Sequence, residues 1–208
     1  METNINELIK KGKNIAIIPY ENISDNGLSS AIAIYLALKE FGANVDFLYK
    51  GEIKEPIKTI VGESVKINST IPEKHLVISV DYLDKSIEEV NYSIENNKLN
   101  LILRPISDHF TTDKIEHKLM GGSYDSAITV GCWSLDKIGI ISENKESFKE
   151  TKLINIDNSA NNERFGDINI LDNETNNIAL LVLQTIASWN IKIPKQAAKL
   201  LLKSINSW

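Results

Sequence analysis

The sequence holds a single cysteine, Cys132, in 208 residues. A disulfide framework and a four-cysteine zinc site within one chain are thereby excluded. Histidines are few and scattered, at His75, His109 and His117. Basic residues do not dominate: 23 Lys and Arg against 28 Asp and Glu leave a net charge of −5, with the two signs interspersed. That balance argues against a strongly basic nucleic-acid footprint. No apolar run approaches the ~18 residues of a membrane span, and Met1 to Lys13 is largely polar, unlike a secretory leader. The expectation is a reduced, cytoplasmic protein with no membrane partner.

What is present is material for a core, since 42% of the residues are apolar. Ile5 to Lys11 has helical spacing, ended by Gly12. Asn14 to Pro19 (NIAIIP) is a continuous apolar run, the pattern of a strand buried on both faces. Leu28 to Phe41 spaces its apolar side chains as a helix does, and Gly42 is a natural stop. Asn44 to Tyr49 reads as the next strand, so the chain opens β-α-β, which predicts a parallel sheet. Gly51 to Glu73 reads as a connection, and His75 to Val80 as a further strand ending at Asp81. Ile87 to Ile94 and Lys98 to Arg104 alternate about Glu95-Asn96-Asn97, a hairpin pattern.

Thr111 to Leu119 reads as a short helix capped by Thr111 or Thr112, and Ala127 to Val130 as a strand. Leu135 to Ile141 reads as the start of a helix, Glu174 to Trp189 as the longest helix, and Pro194 as the start of the last one, Ala197 to Ile205. The fold class expected is α/β: one doubly wound domain, its mainly parallel sheet flanked by helices, with a β-hairpin inserted at about 87–104.

One stretch organises the rest, Lys152 to Leu171, KLINIDNSANNERFGDINIL. A short apolar strand breaks at Asp157-Asn158-Ser159 into a polar loop, and after Phe165-Gly166 a second strand resumes from Ile168 to Leu171. A polar run directly after a buried strand sits at the carboxyl edge of an α/β sheet, where such sheets bind ligands. The stretch resembles the third metal motif of the DHH-family phosphoesterases. In that motif a strand runs into Asp-His-His, a variable residue, Ser-Asn, two variable residues, Phe-Gly, and an Asn on the next strand. Ile156-Asp157, Asn162, Phe165-Gly166 and Asn169 match, while Asn158 and Ser159 stand where the histidines would be.

The resemblance extends in order along residues 5 to 205. In Ile17 to Gly42, IIPYENISDNGLSSAIAIYLALKEFG, the family has a strand, His, Asn-Pro, Asp-Gly-Asp and a helix. Here Tyr20 takes the place of the His, Asn22 matches, Ile23 replaces the Pro, and Ser24 and Asn26 replace the aspartates around Asp25. Ser30 matches the Ser that opens the helix. Tyr124 to Gly139 resembles the second motif, with Gly131 in place of its metal-binding Asp. Asp172 to Leu183, and Ala197 to Ile205, resemble the helices that follow.

The resemblance implies a parallel α/β domain that in the family holds two divalent ions, commonly manganese, and hydrolyses phosphodiesters. It also implies a smaller C-terminal domain that grips substrate. This sequence stops at Trp208, where the linker to it would begin, so residues 1–208 read as the first domain with the second absent.

Two divalent ions need several carboxylates and imidazoles to hold them. The matching positions offer Tyr20, Ser24, Asn26, Gly131, Asp157, Asn158 and Ser159, and only Asp157 among them is anionic. No catalytic residue, metal ligand or cofactor is therefore expected, and the pocket reads as degenerate. Asp157 reads first as a loop carboxylate bonding backbone N–H groups, Asp25 as the cap of the Leu28 helix, Cys132 as a buried thiol, and His109 as a loop residue. Trp189 and Trp208 read as core or interface anchors.

The leading reading is a degenerate phosphoesterase-like protein that binds a nucleotide, a short nucleic acid or a protein. An alternative is a divergent enzyme whose Asp25, Asp81, Asp125 and Asp157 build a weaker centre for manganese or magnesium. A third is a structural module that forms a homo-oligomer, or pairs with another protein, through the edge of the 87–104 hairpin.

Overall fold

A computed structural model of the chain describes residues 5–10, 13–80, 87–104, 115–120 and 122–206. In chain order the helices and strands are α1 (Ile5–Leu8), β1 (Asn14–Pro19), α2 (Asp25–Phe41), β2 (Asn44–Leu48), α3 (Glu55–Val61), β3 (Ile67–Asn68), β4 (His75–Val80), β5 (Glu89–Glu95) and β6 (Lys98–Arg104). They continue with β7 (Ile115–Met120), β8 (Ser126–Val130), α4 (Gly139–Glu143), α5 (Lys145–Phe148), β9 (Lys152–Asp157), β10 (Ile168–Leu171), α6 (Ile178–Ser188) and α7 (Lys195–Ile205).

The chain divides into two compact units, one made of residues 1–74 and 120–208, the other of residues 75–119. The first unit contains a six-stranded sheet in the order β10-β9-β8-β1-β2-β3, with every pairing parallel. This is the doubly wound α/β architecture read from the alternating strands and helices. The apolar run of β1 supplies both faces. Ile15 and Ile17 join one core cluster with α2, α6 and α7, while Ala16 and Ile18 join another with Ile140 of α4 and Phe148 of α5. None of these four β1 residues is more than 1% exposed. Burying an isoleucine of this kind contributes about 1.5–3 kcal/mol, which is why a strand without polar alternation settles between two helical layers.

Helix α2 starts earlier than its apolar pattern, at Asp25, because Ser24 caps it: the Ser24 hydroxyl accepts from Gly27 N at 3.2 Å. Asp25, expected to be the cap, is the first helical residue. Gly42, at φ 97°, ends the helix in the left-handed region. Within the expected connection 51–73 lie the helix α3 and the short edge strand β3.

Three other expectations are revised. Helix α2, with 17 residues, is longer than α6, with 11. Helix α6 begins at Ile178 because the Asp172 carboxylate accepts from Glu174 N and Thr175 N, turning the chain, and Asn177 then caps Ala179 N. The helix read at Thr111 to Leu119 is instead strand β7, paired with β4, while Thr111 and Thr112 fall outside the described residues. The hairpin is present as expected, but it belongs to the larger 75–119 unit. Strands β5 and β6 pair antiparallel from Glu89↔Arg104 to Glu95↔Lys98. Asn96 and Asn97 both take positive φ, 52° and 60°, the turn whose twist suits two strands joined by two residues.

Candidate functional site

Parallel register places the ends of four strands abreast. Strand β1 pairs with β8 up to Pro19↔Val130, β8 with β9 up to Val130↔Ile156, and β9 with β10 up to Asp157↔Leu171. The ladder then runs one residue further. Tyr20 N donates to Val130 O at 3.0 Å, Gly131 N to Ile156 O at 2.9 Å, and Asp172 N to Asp157 O at 3.3 Å. Tyr20, Gly131, Asp157 and Asp172 are thus brought together at the carboxyl edge, and the loop 158–166 rises from it.

That loop is fixed by a chain of amides. Thr129 Oγ1 donates to Asn155 Oδ1 at 3.0 Å, and Asn155 Nδ2 donates to Asn162 Oδ1 at 3.1 Å. Asn162 Oδ1 also accepts from Arg164 N at 2.8 Å. Its Nδ2 spends both protons, one on Cys132 O at 3.1 Å and one on Asp157 Oδ2 at 2.7 Å. Thr129 and Asn155 are fully buried and Asp157 is 3% exposed, so each bond offsets a desolvation cost that would otherwise stand. The Asp157 carboxylate is held by a side-chain amide, in place of the backbone N–H groups expected for it.

The second half of the motif is also structural. A Cβ on Gly166 would lie 2.6 Å from Ile168 O and 3.1 Å from both Asn155 N and Leu153 O. The loop therefore crosses the strand at a distance that only glycine permits. Asn169 ties the crossing down: its Oδ1 accepts from Gly166 N at 3.1 Å, and its Nδ2 donates to Gly166 O at 2.7 Å and Arg164 O at 3.3 Å. Phe165 packs against the second core cluster. The residues of this stretch that match the family frame are those that hold the loop in place.

The remaining pocket positions are engaged locally. Asn158 Nδ2 donates to Thr175 O at 3.1 Å, and Ser159 Oγ accepts from Asn161 N at 3.3 Å. Ser24 is the α2 cap, Asn26 O accepts from Ser30 Oγ at 2.7 Å, and the Tyr20 hydroxyl accepts from Asn22 Nδ2 at 3.5 Å. Gly131 has φ 66°, and a Cβ there would meet Ile23 Cδ1 at 2.8 Å, Ile23 Cγ1 at 3.2 Å and Ile178 Cδ1 at 3.5 Å. Ile23, the residue in the place of the family proline, fills the space above Gly131.

These residues do not fit a pair of divalent ions. Position 131 carries no side chain and has the end of Ile23 packed over it, which leaves Asp157 as the one carboxylate among the seven positions, too little negative charge for two doubly positive ions. Among the described residues no three His, Cys, Asp or Glu side chains are grouped to hold a metal.

The described aspartates of the alternative centre, Asp25, Asp125 and Asp157, are not gathered either. Asp125 precedes β8 at the opposite edge of the sheet, where Asn14 N and Lys13 Nζ donate to it at 2.8 and 3.0 Å. Asp157 is a full strand length away, about 20 Å at the usual rise. Asp25 pairs with Lys54 at 2.8 Å. Asp81 lies outside the described residues, as do Asp108, His109 and Trp208. Trp189 is a core residue, 6% exposed.

Cys132 is a buried thiol whose Sγ donates to Ser134 O at 3.0 Å. Burial pushes its pKa up to about 11; the Ser134 contact pulls it down, and Asp157, Asp136 and Glu163 push it up again. At neutral pH it is no nucleophile. Beyond it a cavity of about 600 Å³ opens, lined by Ser134, Asp136, Ile141, Lys145 and Glu163 among others. Ser134 Oγ stands between the carboxylates of Asp136 and Glu163 there, 2.6 Å from Glu163 Oε2. Sequence reasoning missed this cavity and the role of Asn155. The one signal for Asn155 was a lone amide inside the apolar strand Leu153–Ile156.

No family model matches the sequence, and no curated protein matches it. Among solved structures, an exopolyphosphatase-related protein from Bacteroides fragilis superposes with a TM-score of 0.63. The chain shares the fold of the part of that protein it overlays. The match covers 95% of this chain and 46% of the other, at 13% identity, so this chain spans less than half the length of that relative.

Proposed function

We propose that this chain is a phosphoesterase-like protein that acts by binding a nucleotide, a short nucleic acid or a protein, and that it does not hydrolyse phosphodiesters. The observation that carries this reading is Gly131 at the carboxyl edge, which brings no carboxylate there and has Ile23 packed over it. In the resemblance a metal-binding aspartate stands there. The exopolyphosphatase-related neighbour supports the phosphoesterase-like half of the reading through its fold. The engagement of Asp157, Asn158 and Ser159 within the protein supports the other half.

Titration calorimetry with manganese, followed by incubation with a short oligonucleotide, tests it. The expected outcome is no two-site manganese binding, no cleavage, and oligonucleotide or mononucleotide binding that persists in chelator when the ligand is of that class. Tight binding of two manganese ions, with cleavage that Asp157→Ala abolishes, would overturn the reading. The competing single-metal centre gains no support, because Asp125 stands at the far edge of the sheet and Asp25 is paired with Lys54.

A further inference from the structure

The 75–119 unit exposes what the rest of the chain buries. Among the described residues twelve large apolar ones stand exposed, and eight of these fall within it. Five of these share one face of the β5–β6 hairpin. The register pairs Val90 with Leu103, Tyr92 with Leu101 and Ile94 with Leu99, so these six side chains form two rows of three on the same side. Val90, Tyr92, Ile94, Leu99 and Leu101 are 65, 72, 72, 62 and 48% exposed. The other side carries Glu89, Asn91, Ser93, Glu95, Lys98, Asn100, Ile102 and Arg104.

A two-stranded hairpin is marginal in water unless its apolar side is covered. We propose that a second copy of this chain covers it, the two hairpins stacking face to face about a two-fold axis.

Two features select this occupant. The face carries no charge, so two copies meet without like-charge repulsion, while a nucleic acid would find Lys98 and Arg104 on the wrong side. The area is of the right size. Residues of this size at these exposures leave roughly 600 Å² open per copy, so complete mutual cover removes up to about 1,200 Å² in total, the lower end of a stable specific interface. In a two-fold contact residue i meets j and j meets i. The central pair satisfies that rule by setting Tyr92 of each copy over the smaller Leu101 of the other.

The inference differs from pairing through the hairpin's backbone edge, because it makes side chains the contact and leaves the edges free. It also stands apart from the reading of the carboxyl edge, since the variants below lie in the other unit.

Sedimentation velocity of the full chain at micromolar concentration tests it. The wild type is expected to be a dimer. Tyr92→Glu and Leu101→Lys should each weaken association by on the order of a hundredfold, the effect of forcing a charge into an apolar contact. Mixing the two variants should restore a dimer, because the carboxylate introduced in one copy then faces the ammonium introduced in the other. Circular dichroism checks that each variant keeps its fold. A wild type that is monomeric, including one that instead pellets with lipid vesicles, would overturn the proposal. So would a dimer that survives Tyr92→Glu unchanged, or folded variants whose mixture stays monomeric.

Discussion

The two units of this chain treat their apolar residues in opposite ways. In the parallel sheet, Ile154 and Ile156 of β9 are fully buried, as are Ile128 and Val130 of β8. In the 75–119 unit, by contrast, no apolar residue is buried among those described. The difference follows from the sequence period. A run such as NIAIIP has no polar side to offer and must lie between two layers. A run such as EVNYSIE has one face of each kind and needs only a single cover. The first kind of strand completes its packing within its own unit; the second leaves half of it to be done.

The sharpest way to break this contrast is to remove the same atoms from both units. Ile156→Ala is expected to destabilise the fold by about 3 kcal/mol, the cost of a buried cavity in a rigid site. Ile94→Ala should change it by about 0.5 kcal/mol or less, as for a surface position. Chemical denaturation of dilute protein, followed by circular dichroism, measures both. Equal losses would mean that the hairpin face is covered within the chain itself.

A second test concerns polar burial in the first unit. Asn162→Ala strips partners from Asn155, Asp157 and Cys132 O together, and should cost about 2–3 kcal/mol. Asn100→Ala, which removes an exposed bond to Ser93, should cost about 0.5 kcal/mol or less. The same denaturation experiment compares the two.

The smallest effect is at Asp167. Burial raises its pKa, but the Leu153 N–H at 2.9 Å and Lys152 at 3.0 Å outweigh that and hold it below the ordinary carboxylate value. A carboxyl depressed in the folded state stabilises above its unfolded value, about 3.9, and loses that contribution as pH falls through the folded one. Asp167→Asn should therefore be slightly less stable than wild type near neutrality. The group is a third exposed, so the gap stays under about 1 kcal/mol. It should close below about pH 4, as thermal melts across pH would register.

How much of this was legible in the sequence depends on how far each feature reaches along the chain. Strands β1 and β10 matched their apolar runs to the residue, and the hairpin turned where its two asparagines stood. Helix α2 was placed three residues late because its first turn, Asp25-Asn26-Gly27, is polar and only the Ser24 cap reveals it. Strand β7 reads as a helix in the sequence because Ile115, Leu119 and Met120 satisfy a helical spacing over so short a span as readily as an alternating one. The Phe-Gly and Asn frame was visible as a pattern. That Asn169 clamps Gly166, and that Asn162 joins Asp157 to Cys132, were not, because each bond crosses between segments that only the folded sheet brings together.

Gly131 has a consequence for descent. An aspartate arriving at this position would press its Cβ on the movable end of Ile23 and would sit at a left-handed backbone angle, which aspartate tolerates better than most residues but not freely. Ile23 would have to swing aside to admit it. An acidic group therefore returns to this edge most readily alongside a smaller residue at position 23, so the two positions are expected to vary together.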